Sequence, residues 1–287
     1  MKKILFFTII TFLLGGCVKN EPAPVWLEID KWSLEDNPLV DPGHLSHNFT
    51  DVWVYVDNKL LGVFELPCKV PVMMEGTNKS IRLYPTIRNN GISATKKIYP
   101  FVEPFEVYQD FVPGSTITLS PTTRYYSNCE FWLEDFESSS SKFNDDTEST
   151  AQMTIENNSS IAISGKYGQI MLNGSNDSLW LGIGSEIVQL PKGGEQVYLE
   201  IDYRNTINIE QGLTAVFSDG SISENPYGQM NKQDSGSLKW KKIYFDLKEI
   251  VSYYTASIGY KPTLKAFVSE STGSGEIQID NIRLVYF

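Results

Sequence analysis

The stretch DVWVYV (Asp51–Val56), DN (Asp57–Asn58) and KLLGVF (Lys59–Phe64) decides the fold class of this chain. Its first part alternates in the period-two pattern of a half-buried β-strand. An Asp-Asn pair suits the tight turn that reverses the chain between two strands. We therefore predict a β-hairpin over these residues.

The same short-period pattern continues on both sides of the hairpin. Pro and Gly residues and the run Asn89-Asn90-Gly91 separate the apolar runs. The further predicted strands are Val25–Ile29, Ser80–Ile87, Thr95–Tyr99, Phe105–Phe111 and Ser115–Leu119. About seven short strands in this space are typical of an immunoglobulin-like β-sandwich. We predict such a domain over residues 25–120, followed by a linker at 121–128.

Residues 129–287 are again rich in predicted strands, with one short helix expected at Leu247–Tyr254. Three motifs follow in order: FWLEDFE at Phe131–Glu137, WKKIYFDL at Trp240–Leu247 and IDNI at Ile279–Ile282. These motifs resemble those of galactose-binding-like jelly rolls, the fold of many carbohydrate-binding modules. The resemblance implies a C-terminal jelly-roll β-sandwich, so the whole chain is expected to be all-β.

The N-terminus carries Lys2 and Lys3, an apolar run over residues 4–14, and then LGGC ending at Cys17. This order is that of a secretory signal, because the apolar run is too short to span a bilayer comfortably. It resembles a bacterial lipobox, which implies cleavage after residue 16 and acylation of Cys17. Residues 1–16 are thus interpreted as signal peptide and 17–24 as lipidated tether. An ordinary secretory signal with an incidental cysteine is the alternative.

The whole arrangement resembles surface lipoproteins of Bacteroidota, and the hairpin resembles the start of PEGA-type surface modules. The resemblance implies an outer-membrane lipoprotein, anchored through Cys17 and exposed at the surface, with the periplasmic face left open. It also suggests Ser178, within Asp177-Ser178-Leu179, as an O-glycosylation site.

The charge balance excludes some partners. The formal net charge is −11 at pH 7, and removal of residues 1–16, which contain two lysines and no acid, makes it −13. Such a chain lacks the basic clusters that neutralise phosphates, so nucleic acid is not an expected partner. The membrane attachment must come from the lipid.

The jelly-roll resemblance also implies a structural calcium ion. In such domains a carboxylate of the Phe-Glu motif and an aspartate of the last strand hold the ion, and Glu137 and Asp280 occupy these positions. Asp135 alternates to the same face as Glu137. The alternative is that these carboxylates face water or bind loop amides.

Aromatic side chains are the second candidate site, because sugar rings stack on Trp and Tyr while polar groups bind their hydroxyls. Trp180, Tyr203 and Tyr227 are candidates, and Arg204 could supply a polar contact. For each aromatic residue, a packing role is the alternative. Trp240, followed by alternating Ile243 and Phe245, is assigned to the core.

Other chemistry has little support. His44 and His47 lie three residues apart without a visible further metal ligand, and Cys68 and Cys129 are either a disulfide or two buried thiols. Nucleophile elbows, phosphate-binding glycine loops and zinc motifs are absent from the sequence. A glycosidase-like carboxylate pair from residues such as Glu134 lacks a partner across a cleft.

We therefore predict a non-enzymatic surface lipoprotein whose jelly roll binds glycan, with the N-terminal sandwich as spacer. The alternative function is a structural or assembly subunit of a surface protein complex that binds no sugar.

Overall fold

The computed structural model describes residues 23–271 and 273–287. The predicted signal, lipobox and Cys17 lie outside these residues and stay predictions. Nearly all regular structure that is described is β-strand, which confirms the all-β fold class. Within the described residues, no helix is long and apolar enough to cross a membrane.

Ten strands form the N-terminal sandwich. They are β1 (Val25–Ile29), β2 (Ser33–Leu34), β3 (Asp51–Val56), β4 (Lys59–Glu65), β5 (Cys68–Val72), β6 (Gly76–Arg88), β7 (Lys96–Ile98), β8 (Phe105–Phe111), β9 (Thr116–Leu119) and β10 (Thr122–Thr123). The predicted hairpin is confirmed as β3 and β4, which pair antiparallel. Asp57 and Asn58 both have positive φ, 47° and 63°, as the hairpin turn requires.

Two sheets enclose the N-terminal core. One has the order β5–β1–β9, and the other has the order β4–β3–β6, with β7 and β8 sharing the remaining edge of β6. Alternate side chains of β1 and β3, such as Leu27 and Val54, are fully buried between them. The strands β2 and β10 form a separate parallel pair.

Twelve strands form the C-terminal jelly roll. They are β11 (Glu130–Glu134), β12 (Phe143–Asp145), β13 (Met153–Glu156), β14 (Tyr167–Asn173), β15 (Leu179–Gly184), β16 (Val197–Asn205), β17 (Ile209–Val216), β18 (Ile222–Ser223), β19 (Pro226–Met230), β20 (Lys241–Asp246), β21 (Gly259–Phe267) and β22 (Ser274–Tyr286). The predicted short helix is confirmed as α1 (Lys248–Tyr253).

The two jelly-roll sheets each contain six strands. The first has the order β13–β14–β22–β16–β20, with β11 also paired to β22. The second has the order β12–β15–β21–β17–β18, with β19 also paired to β17. The last strand, β22, is 13 residues long and lies at the centre of the first sheet, so the final alternating segment organises this domain.

The part of the first jelly-roll sheet formed by β16, β20 and β22 is buried on both faces. Leu199 and Ile201 of β16 point into the jelly-roll core, whereas Tyr198 joins the N-terminal core. Glu200 and Asp202, which share the face of Tyr198, are 0% and 1% exposed. The N-terminal sandwich therefore covers this face of the sheet.

The stretch 121–128, which we predicted as a linker, is packed structure. It contains β10, and Tyr125 within it is buried in the N-terminal core. The Tyr125 hydroxyl donates a hydrogen bond to Glu200 at 2.9 Å. The two sandwiches are therefore in direct contact along this stretch, which does not act as a free spacer.

Four buried charges form what we call the junction network: Glu200, Asp202, Lys242 and Arg283. Lys242 Nζ lies 2.9 Å from Glu200 and 3.8 Å from Asp202, and Arg283 Nε lies 3.5 Å from Glu200. Burial opposes ionisation of Glu200, but the charges of Lys242 and Arg283 outweigh it and hold its pKa below the usual value. Two anions and two cations thus balance inside the protein.

The N-terminal domain completes the junction network. The Tyr99 hydroxyl donates a hydrogen bond to Glu200, and the Ser46 hydroxyl donates one to Asp202. Arg283 Nη2 donates to the carbonyl of His44 at 2.9 Å. These polar contacts tie loops of one sandwich to strands of the other.

Loss of Arg283 should destabilise the fold strongly. We expect Arg283→Met to lower the free energy of unfolding by about 3–5 kcal/mol, because Glu200 and Asp202 would remain buried with one cation fewer. Arg124→Met is the matched control, since Arg124 is 50% exposed in its pair with Glu103 and should lose at most about 1 kcal/mol. Guanidinium denaturation measures both, and equal losses would contradict the role of the network.

Candidate functional site

A turn of the N-terminal domain inserts against the jelly roll and has a groove on each side. Asn90 N donates to the Tyr244 carbonyl at 2.8 Å, and Asn89 Oδ1 accepts from Asp246 N at 3.2 Å. Asn89 lines one groove, whereas Asn90 and Gly91 line the other. Both grooves therefore exist only where the two sandwiches meet.

The first groove, which we call the Trp53 groove, has a volume of about 670 Å³. Its lining includes Trp53, Lys97 and Pro100 of the N-terminal domain and Tyr227 and Asp246 of the jelly roll. The side chains of Trp53 and Tyr227 are half-buried. An aromatic ring from each domain thus contributes to one groove.

Polar groups in the Trp53 groove are held in place. Lys97 Nζ lies 2.9 Å from Asp246, and the Tyr198 hydroxyl donates to the same carboxylate at 3.2 Å. Burial, with added repulsion from Asp246 and Glu249, raises the pKa of Tyr227. Its hydroxyl therefore stays neutral and can both donate and accept a hydrogen bond.

The second groove, which we call the lysine groove, has a volume of about 550 Å³. The residues that line it are His47, Asn48, Thr50, Arg88, Asn90, Gly91, Tyr203, Gln229, Asn231, Lys232, Lys239, Trp240, Lys241, Lys242 and Ile243. None of these described residues is acidic. The groove therefore has a cationic lining in a strongly acidic chain.

His47 adds no charge to the lysine groove at neutral pH. Burial, and then the charge of Lys242, lowers its pKa below the ordinary value. Its ring stacks on Phe49 with the centroids 4.9 Å apart. A metal site at His44 and His47 had little support from the sequence. Within the described residues, no group of three or more His, Cys, Asp or Glu could hold a metal ion.

Two other grooves lack aromatic linings. One of about 170 Å³ lies on the outer face of β15, β17 and β21. Another of about 700 Å³ contains Met171, Asp234 and Glu276. Of the described residues that line them, none is aromatic, so they offer no ring on which a sugar could stack.

Trp180, which we predicted as a ligand-contacting ring, is a core residue, and neither Trp180 nor Arg204 lines the Trp53 groove or the lysine groove. Trp180 is 0% exposed in the jelly-roll core, where its Nε1 donates to Asp145 at 2.8 Å. A ring with no exposed face cannot stack on a ligand. Arg204 instead donates to Gln278 at 3.3 Å across β16 and β22.

Tyr203 and Tyr227 do reach the junction grooves, although the structure separates them. Tyr227 lines the Trp53 groove, whereas Tyr203, only 7% exposed, reaches the edge of the lysine groove. Trp240, which we assigned to the core, is half-buried and lines the lysine groove, so that assignment was wrong in part. The sequence did not single out Trp53 as a candidate, because its strand has the alternating pattern of an ordinary half-buried β-strand.

The predicted calcium ligands lie in different surroundings, one exposed, one half-buried and one fully buried. Glu137 is exposed and accepts a hydrogen bond from Lys166 N at 2.5 Å, and Asp135 accepts one from Glu137 N at 3.2 Å. Asp280 is fully buried, with Oδ1 accepting from Asn281 N. The carboxylates alone do not form a ligand cluster, in line with the metal result above.

Asp280 nevertheless has the properties of a buried carboxylate that lacks a partner. Among the residues that the structure describes, none is a hydrogen-bond partner for its Oδ2 or for the side-chain oxygen and nitrogen of the buried Asn281. Burial, followed by repulsion from Asp202, Asp135 and Glu137, raises the pKa of Asp280 to about 8. A cation bound by Asp280 Oδ2 and Asn281 Oδ1 would give these two oxygens a partner and would reduce the repulsion.

The remaining candidates have local roles. Glu134 is buried and accepts hydrogen bonds from the amides of Phe136, Lys142 and Phe143 and from Ser141, so it organises the loop after β11. Cys68 and Cys129 are free thiols, and burial raises the pKa of Cys129 to about 12. Ser178 is half-buried beside β15, and its glycosylation stays a prediction.

No family model matches the chain, and no curated protein does. A family 11 carbohydrate-binding module of a Clostridium thermocellum cellulase is 12% identical with a TM-score of 0.35, covering 55% of this chain and 95% of that one. A family 29 module is 8% identical with a TM-score of 0.35, covering 55% and 86%.

A two-module fragment of a Clostridium thermocellum endo-1,4-beta-D-xylanase also matches. It is 9% identical with a TM-score of 0.39, and the match covers 54% of this chain but only 28% of that one. The ligand has to be inferred from the grooves of the chain itself.

Proposed function

We propose that this protein is a non-enzymatic glycan-binding lipoprotein, held in the outer membrane through Cys17 and exposed at the cell surface. The binding site is the Trp53 groove at the junction of the two sandwiches. The N-terminal sandwich then takes part in recognition, whereas from the sequence we expected only a spacer.

The observation that carries this proposal is the pairing of Trp53 and Tyr227 in one groove. Sugar rings present faces of C–H groups, and aromatic rings bind these faces while excluding water. A groove of about 670 Å³ lies within the usual size range of small-molecule sites. Two half-buried rings from different domains suit a short stretch of saccharide.

Fixed polar groups support sugar rather than a purely apolar ligand. Lys97 and Asp246 bridge the two domains and line the same groove. The neutral hydroxyl of Tyr227 adds a donor and an acceptor. Such groups can bind sugar hydroxyls in defined directions, which gives orientation and selectivity.

The surroundings of the carboxylates favour binding without catalysis. Glu134, the buried acid among those considered for glycoside hydrolysis, has its oxygens occupied by backbone amides and Ser141. A carboxylate held in this way organises a loop and is not positioned to protonate a leaving group.

A different observation supports the alternative function, an assembly subunit of a surface complex. The outer face of the N-terminal sheet carries Tyr55 and Tyr84, whose centroids lie 5.6 Å apart, and Tyr108, which is 57% exposed. Leu60 on the edge strand β4 is 48% exposed. An exposed aromatic face beside an open strand edge is suited to protein contact.

Glycan-array binding by the full chain in detergent tests the proposed function. We expect saturable binding in the micromolar to millimolar range, about −8 to −4 kcal/mol. Trp53→Ala and Tyr227→Ala should each weaken it about tenfold, roughly 1.4 kcal/mol, because each removes one stacking face. Tyr108→Ala is the control, since this exposed ring lies outside the groove. Absence of binding to every glycan would favour the assembly-subunit alternative.

We also propose a structural calcium ion at Asp280, with Asn281 as a second side-chain ligand and backbone carbonyls completing the shell. The unpartnered buried oxygens of these two residues support it. Calcium prefers six to eight oxygen ligands, several of which are commonly carbonyls. Glu137 and Asp135 would contribute through their charge.

Calcium should therefore stabilise the fold. We expect millimolar calcium to raise the melting temperature by a few degrees, about 1 kcal/mol or more in free energy. Asp280→Asn should remove most of this increase, while Asp30→Asn, on the N-terminal surface, should keep it. Magnesium and a chelator serve as controls, and an unchanged melting temperature with calcium would contradict the ion.

A further inference from the structure

The lysine groove concentrates positive charge in a chain whose formal net charge is −11. Lys232 follows β19, while Lys239 and Lys241 flank Trp240 at the start of β20. The three lysines are exposed and line the same groove. Folding therefore creates a basic cluster that the linear sequence spreads over separate segments.

These three lysines have no internal counter-charge. Among the described residues, none of their ammonium groups has an ion pair or hydrogen bond. The other cations of the groove are compensated, because Arg88 pairs with Asp51 and Glu65, and Lys242 pairs with Glu200. The net positive charge of the groove thus comes from Lys232, Lys239 and Lys241.

The rest of the lining distinguishes this groove from a simple anion patch. Trp240 is half-buried, and its ring contacts Tyr167 edge-on with the centroids 6.1 Å apart. Its Nε1 donates to the carbonyl of Ile161, which fixes the plane of the ring. Amide side chains of Gln229 and Asn231 provide neutral donors and acceptors.

These groups together define the chemistry of a ligand. Unpaired ammonium groups bind carboxylate or sulfate oxygens, an aromatic ring stacks on a pyranose face, and amides bind hydroxyls. Inorganic phosphate would use only the first of the three. A volume of about 550 Å³ leaves room for more than a single small anion.

We propose that the lysine groove binds an anionic oligosaccharide, one that carries carboxylate or sulfate groups. The proposal rests on the proposed glycan-binding function and goes beyond it. It also adds a second binding groove, on the other side of the Asn89–Gly91 turn from the Trp53 groove.

Calorimetric titration of the full chain in detergent tests the proposal. The ligands are a galacturonic acid hexamer, a heparin-derived hexasaccharide, neutral cellohexaose and a short single-stranded DNA. We expect at least one charged hexasaccharide to bind about tenfold or more tightly than cellohexaose. The preference should shrink when sodium chloride rises from about 0.05 to about 0.5 M, because salt screens exposed charges.

Two triple variants that change the net charge equally test whether the preference for charged saccharide comes from the lysine groove. The triple variant Lys232→Gln, Lys239→Gln and Lys241→Gln should lose the preference for charged saccharide. The control Lys31→Gln, Lys59→Gln and Lys142→Gln changes net charge equally at exposed sites outside the groove and should keep it. Thermal melts of both triples show whether the fold is intact, and no large change is expected for exposed lysines.

Three outcomes would overturn the proposal. Retention of the preference in the groove triple, with saccharide binding otherwise intact, would overturn the anionic ligand and leave the proposed function standing. DNA binding as tight as that of the charged saccharides would show that only charge is recognised. Failure of the unaltered chain to bind any saccharide on the array or in solution would overturn the proposed function itself.

Discussion

The buried carboxylate of Glu200 contacts groups of both sandwiches and so anchors their junction. It forms ion pairs with Lys242 and Arg283 on neighbouring strands of the jelly roll. From the other side of the junction, the hydroxyls of Tyr99 and Tyr125 donate hydrogen bonds to it. Removal of one partner from a buried charge is strongly destabilising, because the remaining charge stays buried without compensation. Removal of either domain would expose or orphan these groups, so the junction joins the two sandwiches into one cooperative structure.

The junction also explains where the candidate sites lie. The turn at Asn89–Gly91 is held against β20 by backbone contacts to Tyr244 and Asp246. The space on each side of it becomes a groove, one with the rings of Trp53 and Tyr227 and one with unpaired lysines. Recognition by this chain is therefore expected at its domain boundary, whereas the outer groove of β15, β17 and β21 lacks aromatic rings.

Local pattern predicted the strands well, since β1 and β8 have the predicted bounds and the hairpin turns at Asp57–Asn58. The sites were less predictable, because alternation marks two faces of a strand but not what covers each face. Trp180 and Trp53 lie in similar alternating runs, yet only the first is fully buried. The lysine groove could not be predicted from the sequence, because its residues meet only after β19, β20 and the Arg88 end of β6 are brought together.

Hydrogen–deuterium exchange of the full chain, with and without its tightest-binding glycan, tests whether glycan binds at the domain junction. Backbone amides near a bound ligand should exchange more slowly. We expect added protection in residues 88–98, 226–232 and 239–248, three segments that contain residues lining the two junction grooves. Protection confined to β15, β17 and β21 would contradict this expectation and move the site to the outer face of the jelly roll.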